Sequence, residues 1–173
     1  MVTLTPFADA DIDRLIGWMS SPQLLGQWAA SGFSFPLTPA QMRAHMQTSA
    51  ESGALIFKVL DEDHSVVGHV ELGRIDRFNR SLRIGRVVVA PERRGRGIGV
   101  DLMRAALRVA FDQLQVHRVE LAVFDFNHAA IACYERVGFQ REGVRREMFR
   151  SPDGYWSEIV MSILEFQWRP SDT

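Results

Sequence analysis

One cysteine, Cys133, is the whole thiol inventory of this 173-residue chain. A disulfide within the chain is therefore excluded, and so is a structural zinc site built on several thiolates. An excess of one charge is also lacking: 20 Lys plus Arg oppose 21 Asp plus Glu, so no global basic field advertises nucleic acid. No run of about 18 apolar residues occurs, so nothing reads as a membrane span. The opening Met1-Val2-Thr3-Leu4-Thr5-Pro6 has neither the basic stretch nor the apolar run of a signal peptide, and a cytoplasmic setting is expected. Repeats, low-complexity tracts and linkers are absent too. With 46% hydrophobic residues, a single domain over residues 1–173 with one real core is expected.

What is present is a change of period along the chain. Asp9 is a candidate N-cap for a first helix with apolar positions Ile12, Leu15, Ile16 and Met19. Residues 20–37 read as a loop, with Pro22, Gly26, Gly32 and Pro36, and carry Trp28, Phe33 and Phe35. Thr38-Pro39-Ala40-Gln41 is a capping box with Pro at the first helical position. Residues 54–60 and 66–73 then read as strands joined by the polar turn Asp61-Glu62-Asp63-His64, and 82–89 as a third strand. From Gly97 the apolar stripe Leu102, Met103, Ala106, Leu107, Ala110, Phe111 and Leu114 is helical. Residues 118–124 alternate as a strand. Residues 127–137 form a short helix, with Gly138 where a left-handed cap would sit. Two last strands flank Ser151-Pro152-Asp153-Gly154. The order ααβββαβαββ places a helix between strands 82–89 and 118–124, which implies one parallel pair in an otherwise antiparallel sheet. The expected class is α/β in the α+β sense: a mixed, mostly antiparallel sheet with helices on its faces.

The chemistry concentrates in Val87-Val88-Val89-Ala90-Pro91-Glu92-Arg93-Arg94-Gly95-Arg96-Gly97-Ile98-Gly99. Strand, glycine turn, helix is a phosphate-binding layout. The first N–H groups of a helix have no partner within it and point outward at the positive end of its dipole. Glycines let the backbone approach a phosphate, and the arginines beside them add charge. A P-loop needs Lys-Ser/Thr after the last glycine, and Val100-Asp101 stand there. A dinucleotide fingerprint needs G-x-G-x-x-G early in a βαβ unit, but this turn is G-x-G-x-G and follows two helices and three strands.

Arg94-Gly95-Arg96-Gly97-Ile98-Gly99 resembles the Arg/Gln-x-x-Gly-x-Gly/Ala signature of the GNAT N-acetyltransferase superfamily. The likeness continues through Asn127, Ala130 and Tyr134 to Gly138-Phe139. The closing Glu142-Gly143-Val144-Arg145-Arg146-Glu147 and Asp153-Gly154-Tyr155 resemble the branch with ribosomal-protein N-terminal and spermidine acetyltransferases. The resemblance implies acetyl-CoA as acyl donor, without a metal, and a sheet splayed between the parallel strands to admit pantetheine. It implies that main-chain groups of Val87, Val88 and Val89 bond the pantetheine arm and that Arg94, Gly95, Arg96, Gly97, Ile98 and Gly99 hold the pyrophosphate. It further implies that Asn127 contacts the cofactor and that Tyr134 protonates the leaving thiolate. The resemblance also implies that the amine attacks directly in a ternary complex.

Glu71 shares a strand face with His69, opposite Val70 and Leu72. It is read either as a base or amine-binding group or as a salt-bridge partner of Arg74 or Arg86. Many relatives carry an acid early on the strand matching 82–89, where this chain has Arg83 and Arg86 instead. Cys133 reads as a small buried hydrophobe rather than a nucleophile. Arg141, Arg145, Arg146 and Arg150 read as an exposed strand face. The acceptor expected is a primary amine of a small molecule or a protein N-terminus; exposed edge strands leave a homodimer open. The rival readings are a catalytically silent acyl-CoA sensor and a nucleotide-binding regulatory domain. A proton donor at Tyr134 argues against the first, and the missing Lys-Ser/Thr against the second.

Overall fold

In the computed structural model, which describes residues 1–151 and 153–169, side-chain caps start two of the three helices of the N-terminal half, α2 and α3 below. Helix α1, Ile12–Trp18, follows a 3-10 turn at Asp9–Asp11. Asp9 does not cap it: its carboxylate is held by Arg43 at 2.6 Å, and Asp11 accepts from the Ala8 N–H at 3.0 Å instead. Residues 22–29, expected as loop, form α2, Pro22–Ala29. The Ser21 hydroxyl accepts from the Leu24 N–H at 3.1 Å, and Pro22 occupies the first turn, where no N–H is needed. Gly26 does not break α2. A Cβ there would lie 3.3 Å from the Trp156 ring, so the glycine lets the helix settle on that indole. Helix α3, Pro39–Glu51, starts at Thr38 as expected, whose hydroxyl accepts from the Gln41 N–H at 3.3 Å. The Gln41 amide then ties down the carbonyls of Ser34 and Pro36.

The strands are β1 Thr3–Pro6, β2 Leu55–Leu60, β3 Val66–Asp76, β4 Ser81–Val89, β5 Arg118–Phe124, β6 Gln140–Ser151 and β7 Gly154–Leu164. Strand β1 is an addition to the expected order: four residues pair antiparallel with the edge of β2, Thr3 opposite Leu60. The spatial order is β1-β2-β3-β4-β5-β7-β6, with β4 and β5 the one parallel pair among the described strands. Between them in sequence runs α4, Ile98–Arg108, and after β5 comes α5, His128–Val137. Pro152, in the expected final turn, lies outside the described residues. Strand β6 is exposed along almost its whole length, as its arginines suggested.

Two apolar cores sandwich the sheet. Leu72, Leu82, Ile84, Leu102, Met103, Leu107, Met161 and Ile163 are sealed between one face and α4 and α5. Ile12, Leu15, Trp18, Trp28 and Met42 fill the space under α1, α2 and α3. No helix among the described residues is long and apolar enough to cross a membrane.

The feature that makes a site is where the sheet stops. Strands β4 and β5 pair only at Ser81↔Arg118, Leu82↔Val119 and Arg83↔Glu120. Beyond Arg83 they part, although β4 runs to Val89 and β5 to Phe124. The backbone edges facing that gap are therefore open to a ligand.

Candidate functional site

The gap opens into a cleft of about 490 Å³. Val87, Val88 and Val89 form its strand wall, and Arg94, Gly95, Gly97, Ile98 and Gly99 one end. Asn127 and Tyr134 come from α5, and Trp18, Met19, Leu24, Gln27 and Trp28 from the α1–α2 side. Every site residue expected from the sequence is thus gathered here except two. Arg96 is exposed outside the lining, and Glu71 is buried behind the wall.

Local backbone rules build the turn end. Gly95 and Gly97 have φ of +74° and +80°, the left-handed region that glycine enters without a Cβ penalty. Space around both is open, so conformation rather than packing explains these glycines. Gly97 stands at the N-cap of α4, and its carbonyl takes the Val100 and Asp101 N–H groups at 3.0 and 3.3 Å. The N–H groups of Gly95, Arg96, Gly97, Ile98 and Gly99 make no main-chain hydrogen bond among the described residues. Five donors at the positive end of an 11-residue helix are arranged so that they can cradle an anion. Gly99 serves a different purpose: a Cβ there would stand 3.3 Å from the Cys133 sulfur, so the glycine lets α4 and α5 approach. That approach carries Asn127 and Tyr134 to the cleft.

The Asn127 Oδ1 accepts from the Ala130 N–H at 3.2 Å, capping α5. Its amide nitrogen has no protein partner among the described residues and is available to a ligand. Tyr134 is 8% exposed, and its hydroxyl has no protein partner among the described residues. Burial, with a smaller contribution from Cys133, pushes its phenol well above the usual range, so the oxygen keeps its proton at neutral pH. Burial likewise raises the Cys133 thiol, only partly offset by Arg136, which keeps it a poor nucleophile.

Glu71 is held by His45 Nε2 at 2.9 and 3.0 Å and by Arg86 Nη1 at 2.8 Å, with His69 Nε2 at 3.7 Å. Burial alone would raise its carboxyl, but the His45 hydrogen bond and the neighbouring Arg86 guanidinium prevail and hold it below the usual range. The pairing with Arg86 weighed from the sequence is present, in the interior rather than on a rim. Of the residues that complete this cluster, His45 carries no local signal, whereas His69 is marked in the sequence as the neighbour of Glu71 on one strand face and Trp28 as an aromatic of the 20–37 segment that the sequence leaves open between core and acceptor wall; they sit on α3, β3 and α2 and meet only through the tertiary fold. Leu24 and Gln27 escaped notice because α2 read as loop.

The sequence model of the acetyltransferase (GNAT) family matches residues 23–139. A spermidine N(1)-acetyltransferase of Vibrio cholerae is 27% identical over 168 residues, covering 96% of this chain and 95% of its own. A prophage-derived, uncharacterized N-acetyltransferase of Bacillus subtilis is 28% identical over 129 residues, 75% of this chain and 72% of its own. Among solved structures, the Vibrio cholerae spermidine N-acetyltransferase in complex with CoA and spermine superposes with a TM-score of 0.85. It is 24% identical and covers 96% of both chains.

Proposed function

The chain belongs to the acetyltransferase (GNAT) family and is an acetyl-CoA-dependent N-acetyltransferase; we propose that the reaction runs in the cleft at the β4/β5 gap, on a primary amine of a small molecule or a protein N-terminus. The observation that carries this reading is the joint placement of the N–H cradle at Gly95–Gly99, the N–H groups of Val87 and Val89 that face away from β3, and the Tyr134 hydroxyl in one cleft; Val88, expected to offer its main chain too, pairs with His69 instead.

The cradle and the Arg94 guanidinium would take the pyrophosphate, and the strand edge the pantetheine amides. The acetyl group then lies against β4 with its carbonyl oxygen toward a main-chain N–H. The amine nitrogen attacks the carbonyl carbon, and the electron pair moves onto oxygen, where that N–H stabilises it. As the carbonyl re-forms, the C–S bond breaks and sulfur leaves with the pair. Tyr134 supplies the proton and recovers one from solvent, while the nitrogen loses its own. Most of the rate gain is positioning, since no covalent enzyme intermediate forms. Glu71, outside the lining, is proposed to act on acceptor turnover through Arg86 and His45, without touching the amine.

The α1–α2 wall bears on the acceptor. Trp18, Met19, Leu24, Gln27 and Trp28 are apolar or uncharged, Arg93 and Arg94 are the cations of the cleft, and no carboxylate is among its described lining residues. A polyamine would bring several positive charges with nothing to answer them. The acceptor proposed is therefore a single amine on an apolar or aromatic body. Acetyl-CoA titration calorimetry followed by an amine panel scored by CoA release tests both statements. An arylalkylamine or a peptide with an apolar N-terminal residue should exceed spermidine in kcat/KM by at least about tenfold. A preference for spermidine overturns the acceptor assignment, and no acetyl-CoA binding overturns the site.

A further inference from the structure

The wall of the cleft contains an irregularity. Strands β3 and β4 pair at His69↔Val88 and at Glu71↔Gly85, so Val70 alone faces both Arg86 and Val87. This is a β-bulge, and Arg86 is its extra residue, with φ +48° in the left-handed region that arginine rarely adopts. A bulge carbonyl loses its place in the ladder and, once buried, needs another donor. The Arg86 carbonyl has two. Trp28 Nε1 donates at 2.7 Å and His69 Nδ1 at 2.9 Å. The arginine side chain is fixed as well, by Glu71 and by stacking over the Phe33 ring at 5.5 Å.

The donors themselves are rigidly seated. His69 is fully buried, edge-on to Phe7 at 5.0 Å and to Trp28 at 5.5 Å. Burial holds its pKa below the usual value, so the ring is neutral; because a carbonyl can only accept, the proton sits on Nδ1. Trp28 is a buried residue of α2 that also lines the cleft.

The peptide between Arg86 and Val87 is trans, so its carbonyl and its N–H point in opposite directions in one plane. Pinning the carbonyl therefore aims the N–H. Ala90 donates to Val67 at 2.9 Å, which places Ala90 and Val88 in the positions whose N–H groups face β3. By alternation the N–H groups of Val87 and Val89 face the other way, across the gap that β5 leaves open. We propose that Trp28 and His69 are positioning residues: they clamp the Arg86 carbonyl from behind the wall and so aim the Val87 N–H at the acetyl carbonyl oxygen. The inference rests on the acetyl-transfer reading of the cleft, and it also ties the acceptor wall to the oxyanion donor through a single indole.

Three variants and one spectroscopic readout test it. Trp28→Phe and His69→Phe each delete one donor and keep a ring; His69→Asn keeps an amide donor near the position of Nδ1. Each deletion should lower kcat by about tenfold or more, short of the roughly hundred- to thousandfold lost when an oxyanion donor itself is removed. Acetyl-CoA affinity should stay within about twofold, since the pyrophosphate cradle is untouched. The infrared carbonyl stretch of bound acetyl-CoA labelled with 13C at the acetyl carbonyl should fall below its free value in the wild type. It should return toward the free value in both deletions and be restored in part by His69→Asn. A band that stays at the wild-type position in a folded Trp28→Phe or His69→Phe protein overturns the clamp, as does His69→Asn behaving like His69→Phe. If His69→Phe fails to fold, Trp28→Phe decides alone. Bound wild-type acetyl-CoA without any carbonyl shift would instead refute the underlying oxyanion reading.

Discussion

Tyr134→Phe removes one oxygen and nothing else that the fold uses. The hydroxyl has no protein partner among the described residues, and the ring, 6.1 Å from that of Phe139, keeps its packing. Stability should therefore change by no more than about 0.5 kcal/mol. Catalysis should not be so indifferent. The phenol is protonated at neutral pH because burial raises it, which makes it an available but weak acid. The same burial raises the basicity of a thiolate forming beside it, so the transfer gains driving force as the C–S bond breaks. A thiolate already leaves moderately well, which puts the effect near the low end of general acid catalysis. We expect kcat to fall by about tenfold, equivalent to roughly 1.4 kcal/mol of barrier. The assay is steady-state CoA release on the best amine of the panel, beside calorimetric acetyl-CoA binding, which should be unchanged. Below about pH 10 the ratio of wild-type to variant turnover should be flat, because the phenol does not titrate there. Turnover equal to wild type would mean that solvent protonates the sulfur, and the role given to Tyr134 would be wrong.

Gly97→Glu should abolish acetyl-CoA binding by placing bulk and negative charge in the cradle, with a conformational cost of about 1–2 kcal/mol for the left-handed backbone. Gly97→Asn, which tolerates that backbone, should fold and retain most of the affinity; CoA binding by folded Gly97→Glu would sink the assignment. Glu71→Gln should destabilise the protein by about 1–3 kcal/mol at neutral pH in urea melts, since Arg86 and His45 lose a charged partner. The folded-state carboxyl lies below its ordinary value, so its contribution is present above the unfolded pKa, about 4.3, and vanishes as pH falls through the folded one. The gap between wild type and variant should close in that acid window, and a gap that stays constant there refutes the charge argument. Turnover of Glu71→Gln should fall without loss of acetyl-CoA affinity.

What could be read from the sequence was whatever obeys a local rule. Thr38 before Pro39, the glycines at 97 and 138 with φ of +80° and +111°, and the stripe on α4 each declare themselves within a few residues. So did the parallel pair, because a helix between two strands leaves little choice. Helix α2 was missed because Pro22 and Gly26 count as breakers when taken singly. Only the tertiary contact with Trp156 shows why a glycine belongs there, and only the Ser21 hydroxyl shows that Pro22 opens a helix. Strand β1 has four residues, too few for a period. Nothing in the sequence marks Arg86 as a left-handed bulge. Glu71 was visible as an odd charge on a strand, but His45, which holds it, lies 26 residues away on α3.

The three-pair join between β4 and β5 also bears on how the chain reaches its fold. Strands β2, β3 and β4 follow one another as a meander, and β6 and β7 form a hairpin, so each of these can assemble from neighbouring segments. The join is different: Ser81 must meet Arg118 across the whole intervening helix. Contacts of that separation carry the larger loop-closure entropy and form slowly. With only three rungs to reward the encounter, the two half-sheets should dock late, and the cleft is the part of the seam that docking leaves open.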